Sequence, residues 1–352
     1  MTDGDSYTVR AAESTDVDGF LSLHGTVFGT WPRDVAEAVF EWKYADQPAV
    51  DRMPVVVVEH EGQIVGARGY FAMRVVAGST RLLGLQSTDL MVHPDHRERG
   101  LFTRMTEFGL ERFGGPETLF FSFPGPEPRR GYLKRGWTEV PNPEYVQFFD
   151  VGRQRVGWPP NPRALAKRLY QPLYDGYVAA RTLGQRHTHD VTVADELPAE
   201  TLAELADSRE PDGIHAERSA AFYEWRLSHP LYETTTYLAR RDGRVEAAVV
   251  VDELDGRGFL REILPAAGRR RALSALLARL RADRPAAESL TAWPPRAHRS
   301  TLRRAGYLSS DRTPYRSGDH DIVVKAPADG TVGGLSVADP TNWALQLAER
   351  DY

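Results

Sequence analysis

The stretch LMVHPDHRERGLFTRM, Leu90 to Met105, departs from everything around it. An apolar, strand-like segment (Leu90, Met91, Val92) turns on a proline, gathers three arginines around one glycine, and then starts a helix. A strand that feeds a glycine-containing turn and a helix aims several backbone N–H groups at one point, and the helix dipole adds positive potential there. The stretch therefore predicts an anion site built on the backbone of Arg97, Glu98, Arg99, Gly100, Leu101, Phe102 and Thr103.

Outward from this turn, the chain reads as alternating elements. YTVRAA is a first strand, and Ser14 to Val27 an amphipathic helix with Ser14 as its expected N-cap. VVVVEHEGQIVGARGYFAMRVV and TRLLGLQSTDLMV are β-rich runs split by Glu61-Gly62 and Gly78-Ser79, which predicts an antiparallel meander. A helix from Leu101 to about Phe113, an apolar strand (TLFFSF), a proline-rich loop (PGPEPRR), a short helix (GYLKRG) and two strands (WTEV, EYVQFFDV) complete this part.

The totals bound what such a chain can be. At 352 residues it suits two domains of average size, and 41% hydrophobic with 26% charged residues is a globular composition. A net charge of -5, from 44 basic and 49 acidic residues, offers no bulk attraction to nucleic acid and no polybasic membrane anchor. With no cysteine there is no disulfide, no thiolate nucleophile and no Cys-based zinc site, so a reducing cytoplasm is the expected compartment. The acidic opening MTDGDSYTVR is not expected to be a signal peptide, and no apolar run approaches a membrane span.

The pattern occurs twice. FEWKYADQP (Phe40–Pro48) returns as YEWRLSHP (Tyr223–Pro230), each followed by a strand, a charged turn with a glycine, and a second strand. Phe123-Pro124 and Lys134–Trp137 (KRGW) return as Trp293-Pro294 and Arg304–Tyr307 (RAGY), at one constant offset of about 170 residues. Trp42 and Trp225, in the repeated E-W-basic motif, are expected to pack a helix end against a sheet. At the place of the opening motif the second copy has LPAAGRRRALSALLARL, a helix without the strand-turn-glycine pattern; Arg269 to Arg271 read as a solvated face or as a basic helix start. Function is expected in the first copy. The predicted boundaries are 7–150 for the first domain, 151–189 for a helical connector, 190–327 for the degenerate copy and 328–352 for a C-terminal tail.

LMVHPDHRERGLFTRM resembles the acyl-coenzyme A binding motif of the GNAT superfamily of N-acetyltransferases. There a strand ending in V-x-P leads to R/Q-x-x-G-x-G/A and a helix, places held here by Arg97, Gly100 and Phe102; Phe102 stands where a small residue is usual. SFPGPEPRRGYLKRGW is similar to the family's later motif, with Tyr132 four residues before Gly136 and Gly125 where an asparagine is frequent. The resemblance spans about residues 7 to 150. It implies an α+β fold, a mixed and largely antiparallel central sheet flanked by helices, here in two tandem copies. It also implies acetyl-CoA as co-substrate, with no metal.

On that resemblance, backbone groups of Arg97 to Thr103 hold the pyrophosphate, and a splayed strand at Leu90, Met91 and Val92 offers an N–H to the thioester. Tyr132 is the candidate acid for the departing thiolate, with ordinary packing as its alternative. Asp89 is the candidate base for the acceptor ammonium; a surface or capping carboxylate is the alternative. The acceptor is expected to be a primary amine of a small molecule or peptide, and the second copy to shape the acceptor cleft or a homodimer. Two rival readings stand: a non-catalytic acyl-CoA-binding or sensing module, and a transferase of longer acyl or aminoacyl groups on the same fold. H-x-x-H (His93, His96) and H-x-H (His187, His189) have metal-like spacing but no third ligand nearby, and neither a G-x-S-x-G elbow nor a nucleotide phosphate loop is present.

Overall fold

A computed structural model describes residues 7–142, 145–148, 172–180, 188–283, 289–310 and 321–351. The first sheet begins with β1 (Thr8–Ala11), β2 (Val55–His60), β3 (Gln63–Ala77) and β4 (Thr80–Val92), all antiparallel neighbours. β5 (Thr118–Ser122) then pairs parallel to β4, because α3 (Leu101–Phe113) carries the chain back over one face as a crossover. Helices α1 (Val17–Phe28) and α2 (Arg33–Phe40) cover the other face. α4 (Pro126–Leu133) and β6 (Thr138–Val140) follow.

The second copy repeats this plan after a helix α5 at 172–180. β8 (Asp190–Val193), α6 (Ala199–Ser208), β9 (Ile214–Ala216), α7 (Ala220–Arg226), β10 (Glu233–Arg241), β11 (Arg244–Leu254) and β12 (Arg257–Leu264) lead into α8 (Arg270–Asp283), β13 (Ser289–Ala292), α9 (Arg299–Arg304) and β14 (Leu308–Ser309). β13 is parallel to β12, as β5 is to β4. The expected α+β architecture with two tandem, largely antiparallel sheets is what the chain adopts.

The two copies exchange a strand. β7 (Tyr145–Phe148) follows β6 in sequence but pairs with β13 and β14 in the second sheet. β15 (Ile322–Lys325), at the end of the second copy, takes the matching place between β5 and β6 in the first. A cut at residue 150, the expected boundary, would separate both strands from their sheets. Between the copies Trp42 and Trp225 stack with centroids 5.8 Å apart, and each indole N–H donates to the other's backbone carbonyl at 2.7 Å. The repeated motif thus marks a pseudo-twofold contact, inside an apolar cluster shared by both copies and by Trp343 and Leu345 of the tail.

Two local expectations change, and a third lies mostly outside the described residues. Ser14 is not the cap of α1; a short helical turn at Ser14–Asp16 precedes it, and Asp16 accepts from the Glu13 N–H at 2.7 Å. PGPEPRR is not a loop, since Pro126 takes the first position of α4, where a missing N–H is harmless. Of the connector expected at 151–189, only α5 and residues 188–189 are among the described residues.

Candidate active site

The turn at the head of α3 has the expected form. Gly100 caps the helix in the left-handed region (φ 73°), and a Cβ built on it would meet no atom within 4 Å, so the glycine opens onto empty space. The N–H groups of Thr103 and Arg104 both donate to Gly100 O, at 3.0 and 3.1 Å. Among the described residues the amides of Gly100, Leu101 and Phe102 have no backbone acceptor, and all three residues line the cleft. Thr103, expected in the cradle, thus spends its amide on the turn, and its hydroxyl accepts from Arg135.

The cleft beyond is about 500 Å³ and is lined by Leu90, Val92, Arg97, Gly100–Thr103, Pro128, Gly131 and Arg135. Glu98, with positive φ, contributes its backbone to the turn, and it and Glu127 set two carboxylates in the lining beside the arginines. Arg99 lies over the Tyr7 ring, 5.8 Å from its centroid, rather than in the cleft. Leu90 and Val92 line the cleft while Met91, fully buried, points to the opposite face among Phe20 and Tyr44; strand alternation leaves Met91 only a backbone role. Arg135, overlooked in sequence, lies over the Phe102 ring at 5.0 Å and adds a cation to the wall. Free amides, an open glycine and arginines match what a pyrophosphate needs.

β4 splays from β5. Their register runs from Leu83↔Thr118 to Gln86↔Phe121 and stops, and the pairing of β4 with β3 skips Asp89 and Leu90, with Asp89 at φ 41°. The splay opens a second pocket of about 350 Å³, lined by Phe28, Thr88, Asp89, Leu90, Phe123, Tyr132 and Asp351 among others, which shares Leu90 and Pro128 with the cleft. The head of α3 and the splay therefore line adjoining pockets, with Tyr132 in the second.

Tyr132, on α4, is buried between Phe102 and Trp137. Its hydroxyl oxygen accepts from Arg68, a fully buried β3 arginine that also donates to Thr106 Oγ1 at 2.7 Å. With one lone pair taken by Arg68, the hydroxyl O–H remains available as a hydrogen-bond donor. Asp89 is more tightly held. It accepts from Lys43 Nζ at 3.0 Å through both oxygens and from Tyr44 hydroxyl at 2.6 Å. Burial alone would raise its pKa, but the Lys43 charge and these hydrogen bonds hold it below the usual carboxylate range. A carboxylate so stabilised is a weak proton acceptor, so the geometry suits Asp89 to holding a cation and not to the expected role of base.

Lys43 and Tyr44 reach Asp89 because the chain after α2 widens into a π-helical turn, Glu41–Ala45, which buries Trp42, Lys43 and Tyr44 together. Burial would lower the Lys43 pKa, yet Asp89 and Asp351 raise it, and it stays an ammonium between two carboxylates. Asp351 arrives from the tail, 3.1 Å from Lys43 and hydrogen bonded by Gln86 and Thr88. The basic position of the E-W-basic repeat was the available signal for Lys43; none pointed to Asp351.

Other candidates resolve simply. His93 and His96 form an aromatic ladder, their rings 5.6 Å apart, with Tyr7 donating to or accepting from His96 at 2.9 Å. No group of three His, Asp or Glu among the described residues could hold a metal ion. His189 pairs with Glu246 at 3.1 Å, and His187 lies outside the described residues. Arg269 to Arg271 are exposed, Arg269 lying 3.4 Å from Glu246. No helix among the described residues is long and apolar enough to cross a membrane.

Residues 8–140 match a family model described as an acetyltransferase (GNAT) domain. No curated protein sequence matches the chain. Among solved structures, an N-acetyltransferase of Kribbella flavida aligns at 17% identity over 91% of this chain and 71% of its own, with a TM-score of 0.55. A conserved protein of unknown function from Enterococcus faecalis aligns at 10% identity over 91% and 72%, with a TM-score of 0.62. A tandem GNAT protein from the clavulanic acid biosynthesis pathway aligns at 15% identity over 91% and 97%, with a TM-score of 0.51. Residues 8–140 thus match an acetyltransferase (GNAT) domain, and the doubled fold of the chain is like that of these solved structures, a tandem GNAT protein among them.

Proposed function

We propose that the protein transfers an acetyl group from acetyl-CoA to a primary amine in the adjoining pockets of its first copy. The observation that carries this reading is that the α3 cradle adjoins the β4–β5 splay across Leu90 and Pro128, with Tyr132 lining the splay. The coenzyme's thioester supplies the acyl group. Amides of Gly100, Leu101 and Phe102, with Arg97 and Arg135 beside them, bind the pyrophosphate. Backbone at Leu90, which has no register partner, is the donor for the thioester carbonyl. Tyr132 gives its proton to the departing thiolate while Arg68 keeps the ring oriented.

Asp89 and Asp351, which hold Lys43 between them and share the pocket with Arg350, orient the acceptor as its ammonium. The acceptor must then lose a proton to solvent or to a water chain before it attacks. Exposed Phe28, which lines the same pocket, gives an apolar wall for the amine's carbon skeleton.

The test is calorimetric titration with acetyl-CoA followed by thiol release across a panel of aliphatic, aromatic and peptidyl amines. Binding with amine-dependent release is expected. Binding without release for any amine would favour the sensing module, and no binding would end the reading.

A further inference from the structure

The second copy has its own splayed edge, and it is filled. Phe121 and Thr291 each stand two residues before the repeated FP and WP, and they pair with Gln86 on β4 and Phe259 on β12. Counting on from these partners, Asp89 and Leu90 in the first copy correspond to Glu262 and Ile263 in the second. At that edge Ile263 N–H donates at 2.9 Å to Gln346 Oε1 of the tail, and Gln346 Nε2 donates at 2.8 Å to Glu262. A side-chain carboxamide thus takes the backbone donor that, one copy earlier, is open to a thioester carbonyl.

The seat is elaborate. Glu349 accepts from Gln346 N–H at 2.6 Å, from Ala216 N–H at 3.1 Å and from Arg218 at 2.6 Å, and Arg218 also holds both oxygens of Glu262 at 3.1 Å. Arg226, the counterpart of Lys43 in the E-W-basic repeat, donates to Ala348 O at 2.6 Å and Arg350 O at 2.7 Å. Gln346, Glu349, Glu262, Arg218 and Arg226 are all buried. Directly after this clamp the chain delivers Arg350, whose guanidinium lies over Phe123 and Trp293, and then Asp351 in the first copy's pocket.

We infer that residues 346–351 are a built-in occupant of the second copy's vestigial donor edge, and that this seat makes the second copy the positioner of Asp351 in the first copy's acceptor pocket. The second copy then holds no acyl-coenzyme of its own. Gln346 and Glu349 are positioning residues and Asp351 a specificity-determining one. The kinetic side of this inference rests on the transfer reading above; the seat itself does not.

The experiment compares full-length wild type with Gln346→Ala, Glu349→Gln and Asp351→Asn. Hydrogen exchange reads the amides of 346–351 against those of β11 and β12; steady-state kinetics use acetyl-CoA and the fastest acceptor among putrescine, tyramine and a lysyl peptide. Gln346→Ala and Glu349→Gln are expected to speed tail exchange about tenfold while β11 and β12 stay protected. They should raise the amine KM about tenfold with a smaller change in kcat, and leave acetyl-CoA affinity within about twofold. Asp351→Asn should raise KM alike without loosening the tail. Equal acceleration of β11 and β12 would make these residues ordinary core and overturn the inference, as would a loosened tail with unchanged KM. If the wild type acetylates none of the amines but the exchange pattern holds, the transfer reading falls and the seat stands.

Discussion

Replacing Gly100 separates the two things that this glycine does. At φ 73° an L-residue costs about 1–2 kcal/mol, and because a Cβ there meets nothing within 4 Å, no clash adds to it. Gly100→Ala and Gly100→Glu should therefore lose similar stability, a drop in Tm of a few degrees. Their coenzyme affinities should part. Alanine adds one methyl at the mouth of the cradle, whereas glutamate fills the open space and sets a carboxylate about 5 Å from a bound pyrophosphate, a repulsion of about 1–3 kcal/mol at the dielectric of a protein surface. Acetyl-CoA titration by calorimetry should find the glutamate variant about 10–100-fold weaker than the alanine variant. Equal affinities would mean that the head of α3 is a structural turn and that the anion, if any, lies elsewhere.

Other consequences are as direct. Tyr132→Phe removes the proton donor and leaves Arg68 short of an acceptor in the core, where its Nε already has none; kcat should fall about 100-fold with coenzyme affinity kept, and stability by about 1–3 kcal/mol. Loss of stability with kcat intact would leave the tyrosine a packing residue. Asp89→Asn should raise the amine KM without moving the pH dependence of kcat, since Lys43 and Tyr44 hold the Asp89 carboxylate below the usual range; a shifted pH profile would restore the role of base. Trp42→Phe and Trp225→Phe each delete one of two matching 2.7 Å bonds, so chemical denaturation should give nearly equal losses of about 1–3 kcal/mol. Unequal losses would argue against a symmetric contact.

Stability should also depend on pH through the tail's clamp. Burial, with the adjacent Glu349, pushes Glu262 from 4.5 up to about 8 against the pull of Arg218. The folded chain then keeps a proton that the unfolded chain releases, so this contribution is full below about 4.5 and is lost as pH rises through about 8. Thermal melts from pH 5 to 9 should fall with pH in the wild type and less steeply in Glu262→Gln; parallel curves would count against it.

Much of the site was legible because it is local. The strand, the proline, Gly100 and the apolar period of α3 lie within sixteen consecutive residues, and each independently calls for a turn that presents amides. The doubling was legible in Trp42 and Trp225 for the same reason, as a short motif that must fold the same way twice. The strand exchange was not. β7 and β15 take matching places in the two sheets, and strand alternation alone does not name the sheet that a strand joins. Lys43, Arg68 and Asp351 were missed because a buried charge is explained by its partner, and those partners lie 46 residues away for Lys43 and 64 for Arg68, and across the whole chain for Asp351. The proline loop failed for another reason, since proline both breaks helices and starts them.

The most direct test of the central claim is mass spectrometry of the reaction itself, with purified protein, acetyl-CoA and a mixture of primary amines. An amine heavier by one acetyl group, formed in step with free coenzyme thiol and lost in the Gly100→Glu protein, is the expected result. Coenzyme that binds and is recovered unconsumed, with every amine unchanged, would contradict it.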